Sequence, residues 1–193
     1  MMRRRRIWLR ATGFLLACSI GAAASASQLP STTIANEEIP EYVVKAGFLF
    51  NLAKYVEWPG AAFATPDAPI RIGIVGRDPF GVLIEQVLKD KSVHNRHFEI
   101  QRFREVAEIR NVHILFVPSS EAAHLTQILN LVNAMPVLTV GEQVVFATRG
   151  GMVAITVEAQ RPSLHINRTA VERQALAVDS KLLRVAKIVA GDL

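Results

Sequence analysis

Three short runs rich in β-branched and other apolar residues constrain this chain most: 70–75 (IRIGIV), 112–117 (VHILFV) and 136–140 (PVLTV). Runs of that kind mark strands buried on both faces, which occur in parallel sheets covered by helices. Helical patterning separates them, from Asp78 and Pro79 to about Lys89 and from Ser119-Ser120-Glu121 to about Val132. Strands alternating with helices imply βαβ units. Residues 97–103 (HFEIQRF) alternate and read as a further strand. Residues 144–147 and 152–157 read as strands around a Thr148-Arg149-Gly150-Gly151 turn, and 164–166 as a last one. The expected fold class is α/β: a Rossmann-like sandwich with a mostly parallel central sheet, antiparallel edge strands and flanking helices.

The first 26 residues read differently. Arg3, Arg4, Arg5, Arg6 and Arg10 precede a short apolar run, and small residues follow it up to Ala24-Ser25-Ala26. A basic start, an apolar centre and an A-x-A end make a secretory signal peptide. The apolar centre is shorter than the roughly 20 residues a membrane span takes. Cleavage is expected between Ala26 and Ser27, leaving a flexible arm over 27–40 and one domain over 41–193. Export to the periplasm follows. A lipoprotein anchored at Cys18 is the minor alternative, because Leu15-Leu16-Ala17-Cys18 loosely resembles a lipid-attachment box.

Removing the leader changes the charge. Five of the 22 lysines and arginines lie in it, which leaves 17 against 17 acidic residues. A nucleic-acid-binding domain needs a basic face, so no nucleic-acid partner is expected. Cys18 is the single cysteine, so the mature chain has no thiol or disulfide chemistry.

A helix is expected over 41–57, opened by Pro40 and ended by Trp58-Pro59-Gly60. Val43, Val44, Ala46, Phe48, Leu49, Phe50, Leu52, Ala53 and Val56 leave it almost no polar face. Lys45 and Lys54, nine residues apart, fall on opposite sides at about 100° per residue. A helix apolar all round is buried on several sides, in a core or at an interface. Lys45, Phe48, Asn51, Lys54 and Trp58 are therefore candidates for contact with a partner protein. Lys181, Arg184 and Lys187 form a basic stripe on a helix expected over 181–190, capped by Ser180, and are further candidates.

Chemistry-bearing motifs are sparse. Gly73, Gly76 and Gly81 surround a strand-to-helix turn where phosphate loops sit, but the spacing matches no nucleotide fingerprint. Gly76, Asp78, Ser119 and Ser120 would line a small-ligand site at the strand C-terminal ends. Ser119 or Ser120 with His113 could in principle serve a hydrolase, yet no nucleophile elbow is present. His94, His97, His113, His124 and His165 lack the spacing and acidic company of a zinc site. Asn167 reads as a helix cap for 168–177 rather than a glycosylation acceptor. No catalytic residue, metal or cofactor is expected.

Blocks in order along the chain resemble the YfiR family: 41–59 (EYVVKAGFLFNLAKYVEWP), 73–81 (GIVGRDPFG), 113–117 (HILFV) with Ser120-Glu121, and 136–140 (PVLTV). Phe146-Ala147 with Gly150-Gly151-Met152, and 180–184 (SKLLR), complete the set. The resemblance implies a periplasmic, non-enzymatic α/β protein that can form a homodimer. It also implies a partner: the periplasmic sensor domain of an inner-membrane diguanylate cyclase. Repression of that enzyme would lower cyclic di-GMP and biofilm formation. The family's regulatory member carries disulfides, and here only Cys18 could supply a thiol. A small-ligand-binding module is the alternative function.

Overall fold

The computed structural model describes residues 40–159 and 161–191. Ala26, Ser27, Cys18 and the arm up to residue 39 lie outside them. Helix α1 (Glu41–Tyr55) comes first, followed by β1 (Val56–Glu57) and β2 (Ile70–Val75). Then come α2 (Leu83–Leu88), β3 (Ser92–Val93), β4 (Arg96–Phe103), β5 (Ile114–Val117), α3 (Leu125–Val132) and β6 (Leu138–Gly141). The chain continues through α4 (Val144–Thr148), β7 (Val153–Glu158), β8 (Arg161–Ile166) and α5 (Arg168–Arg173). It closes with β9 (Ala177–Val178), α6 (Ser180–Val185) and β10 (Lys187–Ile188). Eight strands form one sheet in the order β10-β8-β7-β6-β5-β2-β4-β3, and β1 pairs β9 separately. The pairs β4–β2, β2–β5, β5–β6 and β6–β7 are parallel, and β7–β8 and β3–β4 are antiparallel.

Period-2 alternation splits β5 between two cores. Ile114 and Phe116 face the side covered by α1 and α2, whereas Leu115 and Val117 face α3. All four are buried, which is why the run lacks any polar alternation. On α1 the buried residues are Lys45, Ala46, Leu49, Leu52 and Ala53, a stripe at helical spacing. Burying Leu49 and Leu52 stabilises by about 2 kcal/mol each. Aromatic edges lock the layer: Tyr42 on Phe80 at 5.3 Å, Phe80 on Phe116 at 4.7 Å, and Phe50 on Phe98 at 5.9 Å.

Four local expectations are corrected. Residues 144–147 form helix α4, not a strand. β6 and β7 run parallel, and a parallel connection needs a crossover that a tight hairpin cannot make; this overrides the strand propensity of the two valines. The hairpin lies instead between β7 and β8. Asp78 does not start a helix at Pro79: its Oδ1 accepts from Phe80 N–H at 2.7 Å, closing a turn, and α2 begins at Leu83. The last helix ends at Val185, and Lys187 lies in β10, paired in parallel with β8. Asp179, not Ser180, caps α6, accepting from Lys181 N–H at 2.7 Å.

The Asn167 cap is present. Its Oδ1 accepts from Ala170 N–H at 3.0 Å, and its Nδ2 donates to the Ala147 carbonyl at 2.9 Å, with the side chain buried. Asn167→Ala removes the α5 cap and one of the donors to that carbonyl, which keeps the Gly150 N–H at 3.3 Å. The expected loss is about 2 kcal/mol in urea unfolding, and a loss below about 0.5 kcal/mol would contradict this account.

Candidate functional site

In open α/β sheets, ligands bind beyond the strand C-termini where the chain switches sides of the sheet. Here the switch lies between β2 and β5, because the chain goes from β2 to β4 on one side and returns past β2 to β5 on the other. The loops after β2 and β5 bring Gly76, Asp78, Ser119 and Ser120 to this end of the sheet, as their sequence positions imply. The chain's own side chains then occupy the crevice.

Gly76 adopts φ +74, the left-handed region that favours glycine. The Glu121 carboxylate fills the space a Cβ would take there. Glu121 also meets His124 Nδ1 at 2.9 Å. Ser119 N–H, the amide an anionic ligand would use, donates instead to Glu142 Oε2 at 2.7 Å. Glu142 Oε1 receives Lys45 Nζ at 2.7 Å, and both side chains are almost wholly buried. Burial pushes the Glu142 carboxyl up, yet Lys45, the Ser119 amide and the Tyr42 hydroxyl together hold it below its ordinary value. Burial, then the Glu142 charge, raises the Tyr42 hydroxyl to about 12. Asp78 Oδ2 is held by Arg102 Nε at 2.7 Å, and the same guanidinium reaches Glu85 at 2.6 Å and the Gly81 carbonyl at 2.8 Å. Hydrogen bonding from Arg102 lowers the Glu85 carboxyl.

An arriving anion would meet Glu121 and Glu142 at close range. Two like charges 4 Å apart repel by about 4 kcal/mol near a protein surface. Of the expected ligand residues Gly76, Asp78, Ser119 and Ser120, Asp78 and the Ser119 amide have internal partners, and Gly76 is covered by Glu121. Sequence reading missed Glu142, Glu121 and Arg102. The available signal was Glu142 directly after a buried strand, opposite the lone lysine on the inner face of an apolar helix.

The contact candidates divide. Lys45 is corrected: it is 3% exposed and bound to Glu142 and Glu41, so it presents no surface. Phe48 is half-buried against the core, while Asn51 and Lys54 are exposed together on the outer face of α1. Trp58 is half-buried, its indole N–H donating to the His113 carbonyl at 3.2 Å. Lys181 and Arg184 are exposed on α6, but Lys187 stands on a strand, so the three do not form one helical stripe.

His113 cannot serve a serine. Its Nδ1 accepts from Arg71 N–H at 3.0 Å, so Nε2 carries the proton and donates to the Ala62 carbonyl at 3.1 Å. It precedes β5 while Ser119 follows it, and four residues of strand alone span about 13 Å. Phe63 stacks on the imidazole at 4.3 Å. Burial lowers the His113 pKa, with Arg71 and Arg96 adding to the effect. The unfolded chain therefore binds more protons just below pH 6.5, and stability falls as pH drops from 7 towards 5. His113→Gln is expected to flatten that slope in urea midpoints; His165, lowered chiefly by burial, keeps the remainder. An unchanged slope would refute this role.

Among the described residues, no group of three His, Cys, Asp or Glu side chains could hold a metal ion. No helix there is long and apolar enough to cross a membrane.

The family model for YfiR/HmsC-like proteins matches residues 42–187. The chain belongs to this family. A solved structure with a similar fold is a conserved domain protein from Vibrio cholerae O1 biovar El Tor, with a TM-score of 0.52 and 11% identity. The match covers 77% of this chain and 60% of that one, so the chain spans 60% of that protein's length. At that identity the likeness concerns the fold alone. No curated protein matches the chain. The match places the resemblance on most of the YfiR-like domain, from Tyr42 in α1 to Lys187 in β10.

Proposed function

We propose that this YfiR-like chain is exported through its leader, is cut between Ala26 and Ser27, and works in the periplasm as a regulator without catalysis. It acts by contact with the periplasmic sensor domain of an inner-membrane diguanylate cyclase, lowering cyclic di-GMP and biofilm formation, and it does so as a homodimer. The observation that carries this reading is the family match across residues 42–187. The crevice lends support, because the usual ligand position of this sheet is filled by Glu121 and closed off by the Glu142–Lys45 pair. That filling weighs against the ligand-binding alternative. Phe48, Asn51, Lys54, Trp58, Lys181, Arg184 and Lys187 remain the contact candidates. A regulator of this kind binds one state of its target more tightly and shifts the population; a preference of about 1.4 kcal/mol changes the ratio tenfold.

The test is deletion of the chain in its own cell, with cyclic di-GMP measured by mass spectrometry. A rise that the restored full-length chain reverses is the expected result. An unchanged level would overturn the regulatory reading.

A further inference from the structure

The outer edge of β4 is only partly covered. β3 pairs with it at Arg96 and His97 alone. On the inner side, the Phe103 carbonyl accepts from Gly76 N–H, in register with the parallel β2 ladder. Backbone groups of successive strand residues point to alternate sides, so Glu99, Gln101 and Phe103 face β2. Ile100 and Arg102 turn their N–H and C=O groups outward, beyond the end of β3. Among the described residues, no other strand pairs with this edge.

A cleft of about 620 Å³ opens beside this edge, between α2 and β4. Leu88, Ser92, Phe98 and Ile100 line it, and Lys89, Asp90 and Lys91 stand at its margin. Glu85, also in the lining, is already paired with Arg102. Two lysines therefore face one remaining carboxylate, and the margin is net positive.

We propose that this cleft docks an extended segment of a partner protein, which adds as a strand to the outer edge of β4. The outward N–H and C=O groups of Ile100 and Arg102 specify an extended backbone, as in other β-strand additions. Leu88, Phe98 and Ile100 receive an apolar side chain of that segment. Lys89 and Lys91 select an acidic residue next to it. Native folds usually blunt bare edges with bulges, prolines or free charges; residues 100–102 carry no bulge and no proline, and their one charge, Arg102, is held by Asp78, Glu85 and the Gly81 carbonyl. The proposal rests on the reading that this chain works by protein contact, and it names the surface and the chemistry of the contact.

The test uses the full-length exported chain in its own cells, with Gln86 on the cleft wall replaced by a photo-crosslinking amino acid. Ile100→Pro removes one outward N–H while the ladder to β2 keeps its bonds. Ser92→Trp fills the cleft without touching the backbone. Thermal unfolding checks that each variant folds, and if Ile100→Pro does not, Ser92→Trp decides. The expected result is a crosslinked partner whose yield falls at least tenfold in both folded variants. An undiminished yield in a folded variant overturns the proposal, as does a product containing only a second copy of this chain. No crosslink from position 86, in cells where deletion does raise cyclic di-GMP, overturns the docking site and leaves the regulatory reading standing. A variant-sensitive crosslink with no cyclic di-GMP change on deletion supports the site and overturns that reading instead.

Discussion

Glu142→Ala is expected to destabilise the domain by about 3 kcal/mol, the lower end for removing one partner of a buried ion pair. Lys45 would remain buried with its charge, and only the half-exposed Glu41 would stay beside it. The same change strips an acceptor from Ser119 N–H and from the Tyr42 hydroxyl. At about 2–4 °C per kcal/mol for a chain of this size, the midpoint of thermal unfolding should fall by roughly 6–12 °C. The double variant Lys45→Met with Glu142→Leu should recover most of that loss, because an apolar pair of similar volume often replaces a buried ion pair without penalty. The pH dependence has a definite sign. The Glu142 carboxyl is held below its unfolded value, so its contribution is present above about pH 4.3 and is lost as pH falls through its folded value. Glu142→Ala should remove that part of the acid sensitivity. A loss under 1 kcal/mol, or an unaltered acid limb, would show that the pair does not anchor α1 to the sheet.

Phe146→Ala is expected to cost about 4 kcal/mol in urea unfolding, within the range for emptying a buried aromatic site. The Phe146 ring lies between Gly141 at the end of β6 and Gly151 before β7. Neither glycine has a side chain that could collapse into the space left behind. The converse change, Gly151→Ala, puts a methyl group into the ring and should cost about 1–3 kcal/mol. A Phe146→Ala loss below 2 kcal/mol would mean that α4 repacks freely, and the account of this crossover would then fail.

Much of this architecture was legible in the chain. The runs at 70–75, 112–117 and 136–140 lie largely buried between the two helical layers of a parallel sheet, where apolar residues dominate and the buried polar ones, His113 and Thr139, are hydrogen-bonded. The presence of a helix from Glu41 and the capping role of Asn167 were legible for the same reason: each depends on residues within one helical turn or one strand. Residues 144–147 depart from their local pattern: two valines favour a strand, while the parallel pairing of β6 with β7 demands a crossover between them. Lys187 and Ile188 leave the helical pattern because they pair with His165 and Ile166, more than twenty positions earlier.

The candidate site followed the same division. Its place at the strand C-termini, and its residues Gly76, Asp78, Ser119 and Ser120, came from the order of strands and turns. That the crevice is occupied from within did not, because Lys45 and Glu142 are 97 positions apart and meet only when α1 lies across the sheet. By itself, the sequence determined the α/β class, the buried strands and the family blocks, since these rest on local periodicity and on residues read in order. Only the tertiary structure decided which lysine is buried, which carboxylates fill the crevice and which edge of β4 stays bare, since each depends on pairing between distant segments.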